Sequence, residues 1–268
     1  MNRSIPTPSI SVVEIGPFTI HYYALCIISG VALAIWLSNK RFVAAFPQAR
    51  GLVGDVAIVA VPAGVLGGRL YHVITTPEKF FGANGHPEDI LKIWQGGLGI
   101  WGAITLGGVG AFAAYLYIAR TRELPAFRNF ADAVAPGIIF AQAIGRWGNW
   151  FNAELFGEPT KLPWGLEIPR WARPTGYSEF ETFHPTFLYE SIWCLLLAFI
   201  LIKLTSRLSG GALFSLYVAG YCLGRFFIEG LRIDQAQNWG GLRLNQYVSL
   251  VLLSAGMLAF SRFSRSKR

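Results

Sequence analysis

Seven stretches of the chain, 18–38, 52–74, 94–118, 130–151, 184–204, 211–230 and 246–262, are predominantly apolar over the length a helix needs to cross a bilayer, about 20 residues. They are separated by short polar segments, with one longer exception at 152–183. The pattern predicts an all-α integral membrane protein, a single transmembrane domain over 1–268 with seven transmembrane helices. An odd number of spans puts the termini on opposite sides. The linkers 39–51, 119–129 and 203–210 and the tail 261–268 concentrate Lys and Arg, whereas 1–17, 75–93, 152–183 and 231–245 are poorer in them. By the positive-inside rule the N-terminus is extracytoplasmic and the C-terminus cytoplasmic. Segment 152–183, with Pro159, Pro163, Pro169 and Pro174, is then an irregular extracytoplasmic head loop, and a connection of that length is usually functional.

Polar residues interrupt this pattern in a few places. The run Gly145-Arg-Trp-Gly-Asn-Trp-Phe-Asn-Ala-Glu-Leu-Phe-Gly157 puts Arg146, Asn149, Asn152 and Glu154 at the end of an apolar span. An unpaired charge within hydrocarbon costs roughly 2.5–3.5 kcal/mol on insertion scales. Arg146 and Asn149, three apart, share a helix face and can grip one ligand. An arginine snorkelling to the interface is the plainer alternative. With the orientation fixed, Arg69, Arg146 and Arg225 each fall in the last third of an outward-running helix. The early residues of the inward-running ones, among them His21, Tyr22, Tyr23, His184, Tyr189 and Glu190, arrive at the same level. Arg225, Glu229 and Arg232 follow helical spacing, so the carboxylate can pair with one or both arginines. Arginines gathered at this depth suit a phosphate, because the planar fork offers bidentate hydrogen bonds. These residues point to an outer-leaflet site for an anionic phospholipid, with Tyr23, Asn149, Asn152 and Glu154 supplying polar contacts or proton transfer. An ion or solute path would continue into the cytoplasmic halves, where little besides Asp55 and Asp132 is ionisable.

Composition agrees with a membrane protein: 53% hydrophobic, 14% charged, mean hydropathy +0.43. The net charge of +8 could suggest nucleic acid, but the basic residues form short clusters between apolar runs, as orientation charges do, so no nucleic-acid partner is expected. Cys26, Cys194 and Cys222 lie within apolar runs without metal-ligand spacing, so neither a disulfide framework nor a metal site is expected. Residues 1–17 lack a basic start followed by an apolar core, which predicts that the first span is retained as an anchor. Glycines crowd the second and third stretches, and the run Gly96-Gly-Leu-Gly99 is read as close packing or as an unwound entry.

The chain resembles bacterial prolipoprotein diacylglyceryl transferases along essentially its whole length. The resemblance rests on the 145–157 run, His21-Tyr-Tyr23, Leu66-Gly-Gly-Arg-Leu-Tyr71, Trp94-Gln-Gly-Gly-Leu98, His184-Pro-Thr-Phe-Leu-Tyr-Glu190 and Gly224-Arg-Phe-Phe-Ile-Glu-Gly-Leu-Arg232, in that order. It implies a multi-pass enzyme of the bacterial plasma membrane that moves the diacylglyceryl group of phosphatidylglycerol to the lipobox cysteine of a prolipoprotein signal peptide. The product is a thioether, glycerol phosphate is released, and no cofactor or metal is expected. By resemblance Arg146 and Arg225 are the phosphate-binding arginines, and Tyr23, Asn149, Glu154 and Gly157 fall at required motif positions. Glu190, Glu229 and Arg232 match supporting ion-pair positions, with Arg69 and Asn152 also supporting. Many members carry a histidine, a proposed base, where this chain has Trp101; the remaining candidates here are Glu154, His21 and Tyr23. The alternatives from other classes are an outer-leaflet phospholipid or small-anion transporter, which should line both membrane halves with polar groups, and an intramembrane protease or scaffold, a protease being expected to place Ser, His or Asp pairs mid-helix.

Overall fold

A computed structural model describes residues 4–16 and 18–265; the tail residues Lys267 and Arg268 lie outside the described residues. It is built from eight α-helices and three two-stranded antiparallel sheets among those residues. Six helices are long and apolar enough to cross a membrane: α1 (Tyr22–Ala45), α2 (Leu52–Thr75), α4 (Ile100–Ile118), α6 (Thr186–Leu204), α7 (Ala212–Leu231) and α8 (Leu244–Arg265). The chain is an integral membrane protein. The remaining expected span, 130–151, lies within α5 (Phe127–Phe151), which is 25 residues long. It is less apolar than the others because it carries Asp132, Gln142, Arg146 and Asn149, and its buried face includes Asp132 and Asn149. The helix α3 (Glu78–Phe81) is a single turn.

The first helix runs on to Ala45, past the expected end at 38, and two span starts shift by about a turn or more, each for a local reason. Residues 18–21 do not open the first helix. They form strand β2 (Phe18–His21) against β1 (Val12–Ile15), in a register that pairs Val12 with His21. Val12, Val13, Ile15, Thr19 and Ile20 are β-branched, which favours pleated backbone. The third span begins at Ile100 instead of 94, because Gly96 and Gly97 adopt positive φ and break the helix there.

Backbone contacts divide the chain into two compact units, residues 1–38 with 128–268, and residues 39–127. In the second unit α2 and α4 pack glycine against glycine: a Cβ on Gly67 would overlap the Gly102 carbonyl oxygen, and one on Gly102 would overlap that of Gly67. Small residues let helix backbones approach in lipid, where apolar burial between helices gives little drive. The connection from α2 to α4 is gathered around Arg69, which is 6% exposed. Its guanidinium donates to the carbonyls of Ile90 (2.8 Å), Gly96 (2.8 Å), Gly97 (3.1 Å) and Asp89, and lies 5.3 Å from the centre of the Phe80 ring.

In the first unit, Ala135, Ile139 and Ala143 of α5 pack with Cys194, Leu197, Ala198 and Leu201 of α6 and with Leu213 and Tyr217 of α7. Asp132 completes the start of α7, accepting from the N–H groups of Gly211 (2.7 Å) and Phe214 (2.8 Å), donors that a helix N-terminus leaves without intrahelical partners. All three cysteines are free, with Cys194 and Cys222 buried, as packing residues would be. Segment 152–183 has a core of its own, in which Phe156, Leu166, Ile168 and Phe183 pack with Phe187. Within it β3 (Leu166–Glu167) pairs antiparallel with β4 (Thr182–Phe183). The N-terminal segment joins it, as Ile5 N–H donates to Gly165 O and Glu167 N–H to Ile5 O, each at 2.8 Å. A last hairpin, β5 (Asn238–Trp239) with β6 (Leu242–Arg243), leads into α8.

Candidate active site

The end of α5 sets the site. Helix α5 stops at Phe151, and the chain turns back through two non-glycine residues with left-handed backbone, Ala153 (φ 51°) and Leu155 (φ 59°). This conformation is uncommon for residues with a Cβ and persists only where surroundings enforce it. Here Glu154 N–H donates to Asn149 O at 3.1 Å, and the Thr186 hydroxyl donates to Leu155 O. The turn returns the Glu154 carboxylate to Asn149, and its Oε1 accepts from Asn149 Nδ2 at 2.8 Å and from Asn152 Nδ2 at 3.2 Å. Tyr23, in the first turn of α1, lays its ring on Gly148: a Cβ there would fall 2.5 Å from Tyr23 Cδ2. Tyr23 is 37% exposed and close enough to Glu154 and Arg146 to feel both charges.

Beside this turn runs a chain of charges. Arg146 NH2 lies 3.0 Å from Glu190 Oε1 and 3.3 Å from the Tyr221 hydroxyl, which itself donates to Glu190 Oε1 at 2.9 Å. Glu190 Oε2 takes Arg225 NH1 at 2.9 Å, and Arg225 NH2 reaches Glu229 Oε2 at 2.6 Å. Glu229, fully buried, also receives Arg232 NH1 (3.2 Å), Arg243 Nε (3.0 Å) and Asn245 Nδ2 (3.2 Å). Arg232 and Arg243 then converge on Asp234. Burial alone would raise the Asp234 carboxyl, but the hydrogen bonds and charges of the two arginines prevail and hold it below the ordinary carboxylate range.

Two features of this network bear on chemistry. It joins four arginines to three carboxylates, which leaves one positive charge in excess. The arginines also differ in how much of the guanidinium the protein uses. Arg232 and Arg243 each commit Nε, NH1 and NH2 to acceptors. Arg225 commits its two terminal nitrogens. Arg146 commits only NH2, and among the described residues its Nε and NH1 meet no protein acceptor. It is also the most exposed of the four, at 22% of its side chain against 15% for Arg225, 8% for Arg232 and 11% for Arg243. The arrangement presents one firmly anchored guanidinium with half its fork available to an anion.

The structure thus brings Arg146, Asn149, Asn152, Glu154 and Tyr23 together at one turn and joins Glu190, Arg225, Glu229 and Arg232 to it. Gly157 sits where this segment meets the end of α7: its N–H donates to His184 O at 2.9 Å, and a Cβ would fall 2.8 Å from Leu231 O. Arg69 and Trp101 belong to the other compact unit, where Arg69 is committed to carbonyls and Trp101 lies in the first turn of α4. Tyr221, Asp234, Arg243 and Asn245 also enter the network, beyond the residues expected from the sequence. Tyr221 precedes Arg225 by one helical turn and was open to detection by spacing. Arg243 ends the second strand of a hairpin closed by Gly240 and Gly241, both at positive φ, and Asn245 follows it; the glycine pair marks the turn, but which carboxylate the hairpin delivers Arg243 to is set by packing.

The family model described as "Prolipoprotein diacylglyceryl transferase" matches residues 11–262. A phosphatidylglycerol--prolipoprotein diacylglyceryl transferase 2 of Streptomyces coelicolor is 53% identical over 254 residues, covering 94% of this chain and 78% of its own. Similarly named proteins of Corynebacterium efficiens (49% over 280 residues, 98% of this chain and 84% of theirs) and Bifidobacterium adolescentis (45% over 273 residues, 96% and 79%) are also similar. Agreement of this extent, running through every segment that contributes to the turn and the charge network, shows that the chain belongs to the prolipoprotein diacylglyceryl transferase family.

Proposed function

We propose that this chain transfers the diacylglyceryl group of phosphatidylglycerol to the lipobox cysteine of prolipoproteins, at a site made of Arg146, Arg225, Tyr23, Asn149 and Glu154. The substrates are those in the names of its relatives. The observation that carries the reading is the half-committed Arg146 fork, fixed through NH2 by Glu190 and Tyr221. In the step itself the cysteine sulfur attacks the glycerol carbon that bears the phosphate, and a C–S bond forms as the C–O bond breaks. The bonding pair leaves on the phosphate oxygen, so glycerol phosphate departs, and the thiol proton passes to a base. The phosphate gains a negative charge on the way. Donors preorganised around it therefore hold the transition state more tightly than the ground state, which is what accelerates a reaction.

Glu154, oriented by Asn149 and Asn152, is the carboxylate best placed to receive the proton, and Tyr23, lying across Gly148, can hydrogen-bond or relay it as a neutral phenol. A field of arginines favours the thiolate, so even a weak base suffices. In the same reading α5 is a seventh span, shielded from lipid by α1, α6 and α7. The N-terminus and segment 152–183 face the extracytoplasmic side and the C-terminus the cytoplasm, and nucleic acid plays no part.

The test is transfer of labelled diacylglyceryl from phosphatidylglycerol by the purified protein to a lipobox peptide and to the same peptide with Ser for Cys. Label on the Cys peptide alone, with glycerol phosphate released, is the expected result. Lipid binding without transfer, in protein that keeps its fold, would move the reading to a phospholipid carrier.

A further inference from the structure

We infer that Arg243 is a positioning residue for phospholipid binding, acting through Glu229 on Arg225; the inference rests on the reading of the site proposed above. Arg243 ends strand β6, in a hairpin that precedes α8, and lies outside the motifs of the site, 11 residues after Arg232. Its side chain is 11% exposed and ties three groups at once. Nε donates to Glu229 Oε1 at 3.0 Å, NH1 to the backbone carbonyl of Arg232 at 2.6 Å, and NH2 to Asp234 Oδ2 at 2.9 Å.

The consequence lies in how the two oxygens of Glu229 are divided. Arg243 and Asn245 occupy Oε1, which leaves Oε2 for Arg225 and Arg232. Without Arg243 the buried carboxylate loses its charged partner on one oxygen. It is then free to turn towards the other two arginines, and the geometry that aims Arg225 NH2 at Glu229 while NH1 holds Glu190 is no longer enforced. The excess positive charge of the network would vanish as well, since three arginines would face three carboxylates. Both effects reach the phosphate through Arg225, and because the excess charge acts on the bound lipid in its ground and transition states alike, the Michaelis constant should move more than the turnover number.

The experiment compares Arg243→Gln with Tyr247→Phe. Tyr247 donates to Trp239 O at 2.8 Å and braces the same hairpin without entering the charge network. Two readouts are taken on the whole protein in bilayer discs: steady-state transfer over a range of phosphatidylglycerol fractions, and equilibrium binding of phosphatidylglycerol against phosphatidylcholine. For Arg243→Gln the expected result is a roughly tenfold rise in KM for phosphatidylglycerol with kcat within about threefold, the size of effect seen between members of one charge network. Binding should weaken in parallel, and Tyr247→Phe should leave both unchanged. If the two variants shift KM equally, or if Arg243→Gln lowers only the melting temperature, Arg243 is a hairpin staple and the inference is overturned. Should the wild type bind phosphatidylglycerol without transferring it, the transferase reading falls, while loss of binding in Arg243→Gln alone would still uphold the role of Arg243.

Discussion

Replacing Arg146 by lysine should lower kcat/KM for phosphatidylglycerol by about a hundredfold to a thousandfold, the scale on which enzymes lose rate when one preorganised donor to a developing anion is removed. The ammonium keeps the positive charge and can still meet Glu190, which lies 3.0 Å from Arg146 NH2. It cannot at the same time hold Glu190 and Tyr221 on one side and offer a planar pair of donors on the other, because its three protons radiate from a single atom. Helix α5 carries its polar residues in either variant, so membrane insertion and melting temperature should change little. Measuring kcat/KM and thermal unfolding on the same preparation separates these cases, and undiminished transfer in Arg146→Lys would remove Arg146 from the mechanism.

Replacing Glu229 by alanine should have the largest effect on the fold. The carboxylate is fully buried and receives Arg225, Arg232 and Arg243, together with Asn245. A buried ion pair contributes little net stability when intact, because the loss of hydration offsets the attraction. Removing one partner is different: it leaves the others charged and uncompensated, at about 3–5 kcal/mol. Three arginines would share the deficit here, and among the described residues two of them are held otherwise only by Asp234 and backbone. Denaturant or thermal unfolding in detergent should show a loss of this order, and activity should fall with it as Arg225 loses its anchor. A variant as stable as the wild type would show that the arginines find other partners and that Glu229 does not organise them.

Much of this arrangement is legible in the chain itself, and the parts that are not share a physical cause. Spans are set by local composition, so six of the apolar stretches reappear as membrane-length helices. The break before α4 was visible in Gly96 and Gly97, whose freedom at positive φ is a property of the residue itself. The pairing of Arg225 and Arg232 with Glu229 follows from helical spacing, which places them on one face. Glu190 is different: it bridges Arg146 of α5 and Arg225 of α7 from a third helix, and which helices adjoin is decided by packing that no local window contains. Arg69 illustrates the converse. Its depth suggested company with the other arginines, yet its donors are taken by carbonyls of the segment that follows α2, and only the path of that segment reveals it. The two left-handed residues after α5 carry no sequence signal either, since alanine and leucine ordinarily avoid that conformation. They are imposed by the closure of Glu154 onto Asn149.

The most direct test of the central claim, that Arg146 holds the phosphate of the lipid, is a phosphorus–nitrogen distance. Protein carrying ¹⁵N-labelled arginine, reconstituted with phosphatidylglycerol, would be examined by solid-state dipolar recoupling, with Arg146→Lys used to assign the signal. A strong phosphorus coupling to the Arg146 guanidinium is expected, lost in the lysine variant, with a weaker one to Arg225 and none to Arg232 or Arg243, each of whose three nitrogens already meets a protein acceptor. A coupling pattern unchanged by Arg146→Lys would contradict the claim.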